Sequence, residues 1–339
     1  MMKIILSKAV EGSLLSRGEA KEAMLEIMGG RATPSQIASF LSILRLRGET
    51  AEEIVGFTEA MKEKMIGIEG LENAVDTCGT GGDHASTFNI STSAAIVASS
   101  FGVKVAKHGN RSFTSSSGSA DVLEALGIRA AGTAQQAAES IKENHMGFLF
   151  APLFHSSMKH AVNPRKEIGF RTAFNVLGPL ANPANAKKQV IGVFSERYAE
   201  LMAEALTHLG TDHALLVTGL DGLDEITVTG ETKVVEVKNG SISRYRIQPE
   251  QFGLSRGNPL ELKADNPAES ASMIREAFLN RGPQAVKDII SLNAGAALYT
   301  AGYTGTIEEG VSLSGQALVS GRAFAQLERL QMKKEEKYA

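Results

Sequence analysis

The sequence predicts an α/β protein in two parts: a small all-helical domain, then a larger α/β domain whose mainly parallel central sheet is covered by helices. Two observations carry this. Up to about residue 65 the apolar residues recur at helical spacing, with no strand-like run. Beyond that point short β-branched runs alternate with helical segments, the pattern of strands joined through crossover helices.

In the helical part each start has a chemical signal. Ser16 with Glu19 three residues on is a capping-box pattern ahead of Ala20, Met24, Leu25, Ile27 and Met28. Thr33, Pro34 and Gln36 give a cap, a proline at the first helical position and a second box, opening the run Ile37, Phe40, Leu41, Leu44, with Gly48 as a stop. Thr50 and Glu53 open a third helix carrying Ile54, Phe57 and Met61. The second part predicts strands at 74–78, 103–106, 147–151, 189–194 and 214–218, and helices at 91–101, 119–126, 134–144 and 198–209. Residues 232–246 read as a β-hairpin turning at Asn239-Gly240. Helices return at 268–278, 282–300 and 306–330, and the charged tail 333–339 is expected to fray. Residues 152–186 break the alternation with Pro152, Pro164, Pro179 and Pro183, so the chain is expected to leave the sheet there and return. The division is therefore 1–69, joined by part of 155–182, for the helical domain, and 70–154 with 183–339 for the α/β domain.

A chain of 339 residues suffices for these two domains, and 43% hydrophobic with 22% charged residues is a globular balance. Tryptophan is absent, so the core rests on aliphatic side chains and methionine. The net charge of −3 argues against broad nucleic-acid binding. Cys78 is the only cysteine, which excludes an internal disulfide and any multi-cysteine metal site. The apolar run at the start is too short for a signal peptide, and no stretch approaches the ~20 apolar residues of a membrane span. The expectation is a cytoplasmic protein without a membrane or nucleic-acid partner.

Four loops carry candidate chemistry. Gly79-Thr80-Gly81-Gly82-Asp83 follows a strand and precedes the helix that starts near Asn89, Ile90, Ser91 and Thr92. Glycines let backbone N–H groups approach an anion, and the helix start adds unpaired donors. A tight turn with an ordinary cap is the plain alternative. This is not a dinucleotide fingerprint, because His84 stands where the third glycine would fall, and it lacks the Gly-Lys-Ser/Thr ending of a Walker loop. The second loop holds Lys107, His108, Gly109, Asn110 and Arg111, then Ser115 to Ser119 ahead of a helix: two cations and many hydroxyls, as a polyphosphate needs, or else a solvated basic loop. His108 and Cys78 read as structural. The third is Asp221-Gly222-Leu223-Asp224-Glu225 after a strand; Asp224 and Glu225 are spaced to hold Mg²⁺ beside phosphates, unless they form only an acidic turn. The fourth is Arg165, a guanidinium fork suited to a carboxylate.

Taken in order, Gly79 to Asp83, Asn89 to Thr92, Lys107 to Arg111, Ser117 to Asp121, Arg171 to Leu180 and Asp221 to Glu225 resemble the anthranilate phosphoribosyltransferases of tryptophan biosynthesis, over nearly the whole chain. The resemblance implies a site between the two domains. Gly79, Gly82, Asp83, Thr87, Asn89, Ile90, Ser91, Thr92, Lys107, His108, Gly109, Asn110, Arg111, Ser112, Phe113, Thr114, Ser115 and Ser119 would hold phosphoribosyl pyrophosphate. Gly79, Asn110 and Arg165 would meet anthranilate, Arg165 through its carboxylate. Ser91, Asp224 and Glu225 would bind one or two Mg²⁺, and Lys107 and Arg165 would serve the reaction most directly. A homodimer through the helical domain is also implied. One departure is Ser157, where the pattern has a small apolar residue, near the anthranilate entry. Two other readings remain open from the sequence: a pyrimidine nucleoside phosphorylase, which has no need of the paired carboxylates, and a nucleic-acid binder on the same fold, which the acidic balance opposes.

Overall fold

The computed structural model describes residues 1–83, 85–111 and 118–331. Ser112, Phe113, Thr114, Ser115 and the tail lie outside them.

Four helices open the chain: α1 (Met2–Val10), α2 (Arg17–Met28), α3 (Pro34–Arg47) and α4 (Ala51–Lys64). All three capping boxes close in both directions, Ser16 with Glu19, Thr33 with Gln36 and Thr50 with Glu53. Each such cap is worth about 1 kcal/mol. Helix α1 has no side-chain cap and is held by burying Met2, Ile5 and Ala9. Gly56 lets α4 lie directly on α2, since a Cβ there would stand 2.3 Å from the Arg17 carbonyl. Glu53 also accepts the Leu15 amide (2.9 Å) and pairs with Arg47, joining the loops before α2 and α4.

Among the described residues seven strands form one sheet: β1 (Val75–Gly79), β2 (Val105–Gly109), β3 (Met146–Phe150), β4 (Lys188–Gly192), β5 (His213–Gly219), β6 (Thr232–Lys238) and β7 (Ser241–Ile247), in the spatial order β3-β2-β1-β4-β5-β6-β7. The first five are parallel and the last two form an antiparallel hairpin. Asn239 and Gly240 both have positive φ (50° and 78°), as a tight hairpin turn demands. The sheet is buried on both faces: along β5, Leu215 and Val217 join one core and Ala214 and Leu216 the other.

The remaining helices are α5 (Ile90–Ser99), α6 (Ser119–Ala125), α7 (Ala134–Asn144), α8 (Ala151–Phe154), α9 (Lys159–Ile168), α10 (Phe174–Leu180), α11 (Glu196–His208), α12 (Pro267–Phe278), α13 (Gln284–Ala301), α14 (Ile307–Val319) and α15 (Arg322–Gln331). Helices α5 and α12 to α15 cover one face. The other face shares a continuous core with α1 to α4, α9, α10 and α11. Helix α9 packs on α2 and α3, and α10 on α4, so the proline-rich segment lies against the N-terminal helices. Among the described residues no helix is long and apolar enough to cross a membrane.

Two boundaries differ from the sequence reading. The helix expected over 306–330 breaks at Ser320-Gly321, where Gly321 takes φ 77° and α15 starts afresh. Strand β2 runs through Lys107, His108 and Gly109, which the sequence reading placed in a loop. They are held in the strand by the buried Asp76, whose carboxylate accepts the His108 amide (3.1 Å) and the Asn182 side chain (2.8 Å).

Candidate active site

Strand order reverses between β1 and β4: the crossover from β1 leads to β2 on one side, while β4 and β5 extend the other. A crevice forms outside the C-terminal ends of the strands at such a point. Gly79 at the end of β1 is in register with Gly192 at the end of β4, and the Thr80 amide donates to the Gly192 carbonyl (2.8 Å). The glycine loop therefore starts inside the crevice. Gly81 and Gly82 have φ of 66° and 82°, open to glycine but strained for other residues.

The acidic turn follows β5 and comes back under this loop. Asp224 accepts the Gly81 amide (2.8 Å). A Cβ on Gly79 would stand 2.8 Å from the Asp224 carboxylate, and one on Gly192 would overlap the Asp224 carbonyl at 1.5 Å. Both glycines are thus needed for the turn to approach. Asn293 on α13 accepts the Ile226 amide (3.0 Å), fixing the far side. Asp221, quoted with the same motif, accepts from Thr227 and Thr229 and shapes the turn.

Asp83, Asp224 and Glu225 form an electrostatically coupled set. Burial, then the neighbouring charge of Asp83, pushes the Asp224 carboxyl up to about 8. Burial and then Asp224 raise Glu225 well above the usual carboxylate range, with Lys107 and the Ser91 amide opposing. Among the described residues no three His, Cys, Asp or Glu side chains converge as a complete metal cage. A hard divalent ion here would complete its shell with water and phosphate oxygens, its usual mode beside phosphates. The donor set fits: a buried carboxylate, Asp224, and a half-buried one, Glu225, opposed mainly by one lysine, gain from an added cation.

That lysine is wholly buried. Lys107 Nζ donates to the Thr77 carbonyl (2.6 Å) and to Ser91 Oγ (3.1 Å), while Thr77 Oγ1 donates to the Ser91 carbonyl (2.9 Å). Burial lowers its pKa, with Asp76 and Glu225 counteracting. Its charge is delivered to the first turn of α5 through Ser91. Asn89 caps that helix, accepting the Thr92 amide (3.0 Å) and held in turn by Ser270 Oγ at its own amide (2.9 Å). Thr87 lies alongside, bridged to Lys263. Ile90 and Thr92 point into the core, leaving their backbone as what they present to a ligand.

Other expected residues are distributed unequally. Gly109 meets the start of α6: a Cβ there would stand 3.2 Å from Ser119 Cβ. Asn110 is exposed at the end of β2. Arg111 is exposed and paired with Asp121 (2.7 Å) and Glu124 (3.1 Å), so its charge is engaged on α6. His108 is buried; its Nδ1–H donates to the Gly178 carbonyl (3.2 Å), and burial drives its pKa to about 3, which makes it a neutral structural group. The Cys78 thiol is buried and raised, hence unreactive.

Arg165 projects from α9. Its guanidinium lies 5.1 Å from the Phe174 ring, burial lowers its pKa, and among the described residues it has no carboxylate partner. A half-buried arginine without a carboxylate partner among the described residues is suited to receive an anionic group. Ser157 Oγ, two residues before α9, is buried without a hydrogen-bond partner among the described residues. Sequence reasoning missed two contributors. Asp76 fixes β2 from beneath, and the sequence reading had it only as part of the strand at 74–78. Arg171 donates to the Gly82 carbonyl across the crevice and was quoted only as part of a motif.

Comparison with known proteins agrees with this geometry. Residues 71–324 match the glycosyl transferase family, a/b domain, and residues 3–65 the helical bundle domain of the same family. An anthranilate phosphoribosyltransferase of a Geobacillus species is 55% identical over all of both chains, and that of Bacillus subtilis 51% identical, again over all of both. Among solved structures, the anthranilate phosphoribosyltransferase of Thermus thermophilus superposes with a TM-score of 0.90 at 42% identity, covering 96% of this chain and 98% of its own. That of Saccharomyces cerevisiae, in complex with phosphoribosyl pyrophosphate and Mg, gives 0.89 at 29% identity over 97% and 96%. The chain is a member of the anthranilate phosphoribosyltransferase family.

Proposed function

We propose that the crevice holds the two substrates on opposed walls. The chain transfers the 5-phosphoribosyl group of phosphoribosyl pyrophosphate to the amine of anthranilate, releasing pyrophosphate, a step of tryptophan biosynthesis. The observation that carries our reading of the site is the pairing of the Asp224–Glu225 carboxylates under a glycine loop with a guanidinium on α9 that has no carboxylate partner among the described residues.

In this reading the glycine loop, the α5 start (Asn89 to Thr92) and the β2 end receive the phosphates, and Ser119 closes the site. Ser91, Asp224 and Glu225 hold Mg²⁺, which when bound neutralises charge on the departing pyrophosphate. Lys107 orients Ser91 and contributes its field from beneath. Arg165 reads the anthranilate carboxylate, beside Asn110 and Gly79. The aromatic amine is neutral at pH 7, so no strong base is required before attack. Rate enhancement then comes from holding amine and anomeric carbon in line and from stabilising the leaving group. The division into residues 1–69 with part of 155–182, against 70–154 with 183–339, puts these walls on different domains; the packing of α9 on α2 and α3 supports it. Closure would exclude water from the reactive sugar.

The same proposal includes a homodimer through the helical domain, supported by the exposed Ile4, Val10, Leu14 and Leu46 there. It also includes cytoplasmic residence, because so highly charged a donor does not cross membranes unaided. The test is turnover: purified protein with anthranilate, phosphoribosyl pyrophosphate and Mg²⁺, following anthranilate fluorescence and pyrophosphate. The expected result is stoichiometric, Mg²⁺-dependent conversion. Thymine release from thymidine and phosphate, without conversion of anthranilate, would instead favour the phosphorylase reading.

A further inference from the structure

Arg171 lies between the two walls. Helix α9, which carries Arg165, ends at Gly169 (φ 70°), whose amide donates to the Arg165 carbonyl (3.3 Å). Only Phe170 separates that cap from Arg171. The Arg171 guanidinium donates to the Gly82 carbonyl and stacks over the Phe194 ring at 4.4 Å. Phe194 is itself tied to the glycine loop, its amide donating to Thr80 Oγ1 (3.1 Å). Contact is close enough that a Cβ on Gly82 would stand 2.9 Å from Arg171 Nε. Across a trans peptide the carbonyl and the next N–H point in opposite directions. Holding the Gly82 carbonyl therefore also fixes the direction of the Asp83 N–H.

We propose that Arg171 is a positioning residue that couples the two substrate sites: occupancy of the glycine loop by a pyrophosphate group sets the Gly82 peptide, Arg171 follows it, and the end of α9 is held with Arg165 placed for the anthranilate carboxylate. The inference rests on the site reading above and adds a coupling between its halves. By linkage the effect is reciprocal, since each ligand tightens the other by one factor.

The test uses the full chain and a pair of ligands that cannot react. Anthranilate binding is measured by its fluorescence with and without saturating pyrophosphate and Mg²⁺. In the unmodified protein, pyrophosphate with Mg²⁺ should tighten anthranilate about tenfold. In Arg171→Met that factor should fall to within about twofold of unity, while anthranilate alone binds within about threefold of the parent. Arg171→Lys keeps the charge but loses the planar fork and the stack, so it should not restore the coupling. Phe194→Leu, which leaves Arg171 intact and removes its platform, should lower the factor as well, and it decides the matter if Arg171→Met does not fold. Undiminished coupling in these variants, or no coupling in the unmodified protein, would overturn the proposal. Turnover by the unmodified protein keeps such a failure distinct from a failure of the assigned reaction.

Discussion

Replacing Lys107 with methionine keeps most of the side chain's volume and deletes its charge, so the result reports electrostatics more than packing. The amine makes two charge-assisted hydrogen bonds, to Thr77 and Ser91, each worth about 1.5–3 kcal/mol. Only the Ser91 contact acts on the phosphate-binding helix start, so the expected loss of turnover at saturating substrates is about 10–100-fold. Stability falls as well, because Asp76 and Glu225 lose the buried cation they face. Stranding one member of a buried charge set costs about 3–5 kcal/mol. For a chain of this length that lowers Tm by about 5 °C. The assay is the anthranilate fluorescence decay at saturating Mg²⁺, run beside a thermal melt. A rate within twofold of the parent and an unchanged Tm would refute both the placement and the role given to Lys107.

Gly192→Ala puts a methyl where the Asp224 carbonyl stands; the turn carrying Asp224 and Glu225 must shift, and the Mg²⁺ concentration for half-maximal rate should rise about tenfold, read from a metal titration. Asp224→Asn should raise it further, with the anthranilate KM unmoved within twofold. Acid stability follows from two buried histidines: burial lowers His155 to about 4 and His108 to about 3, from an ordinary 6.5. Because the unfolded chain binds these protons more readily, stability is full above pH 6.5 and declines as pH falls toward 4. At pH 5 each histidine forfeits about 2 kcal/mol. A melt at pH 5 should come about 5 °C below one at pH 7, with His155→Gln recovering part of the gap; no change in the gap would count against the assignment.

Local chemistry was legible and distant contacts were not. Capping boxes, the Asn239-Gly240 turn and the glycine loop each depend on residues within a few positions, and all three boxes and the turn formed as read. Lys107 looks solvent-facing from sequence because charge usually stays wet, whereas His108 reads as structural. They are buried because Asp76 and the Thr77 carbonyl, about thirty positions earlier, supply their partners. The pairing of Arg111 with Asp121 and Glu124 on α6 was likewise not legible from sequence. Gly321 was passed over inside a helical pattern, since an isolated glycine is tolerated there; its left-handed conformation instead ends α14. The carboxylate set was visible as a motif. Its coupling to Asp83 was not, because it depends on β1, β4 and β5 ending side by side.

The claim that two walls read two substrates is tested most directly by the Michaelis constants of Arg165→Lys. The lysine keeps the charge and loses the bidentate fork. The KM for anthranilate should rise about 10-fold or more, and that for phosphoribosyl pyrophosphate should stay within twofold of the parent. An equal rise in both would contradict the account, because Arg165 would then be supporting the whole crevice instead of reading the carboxylate.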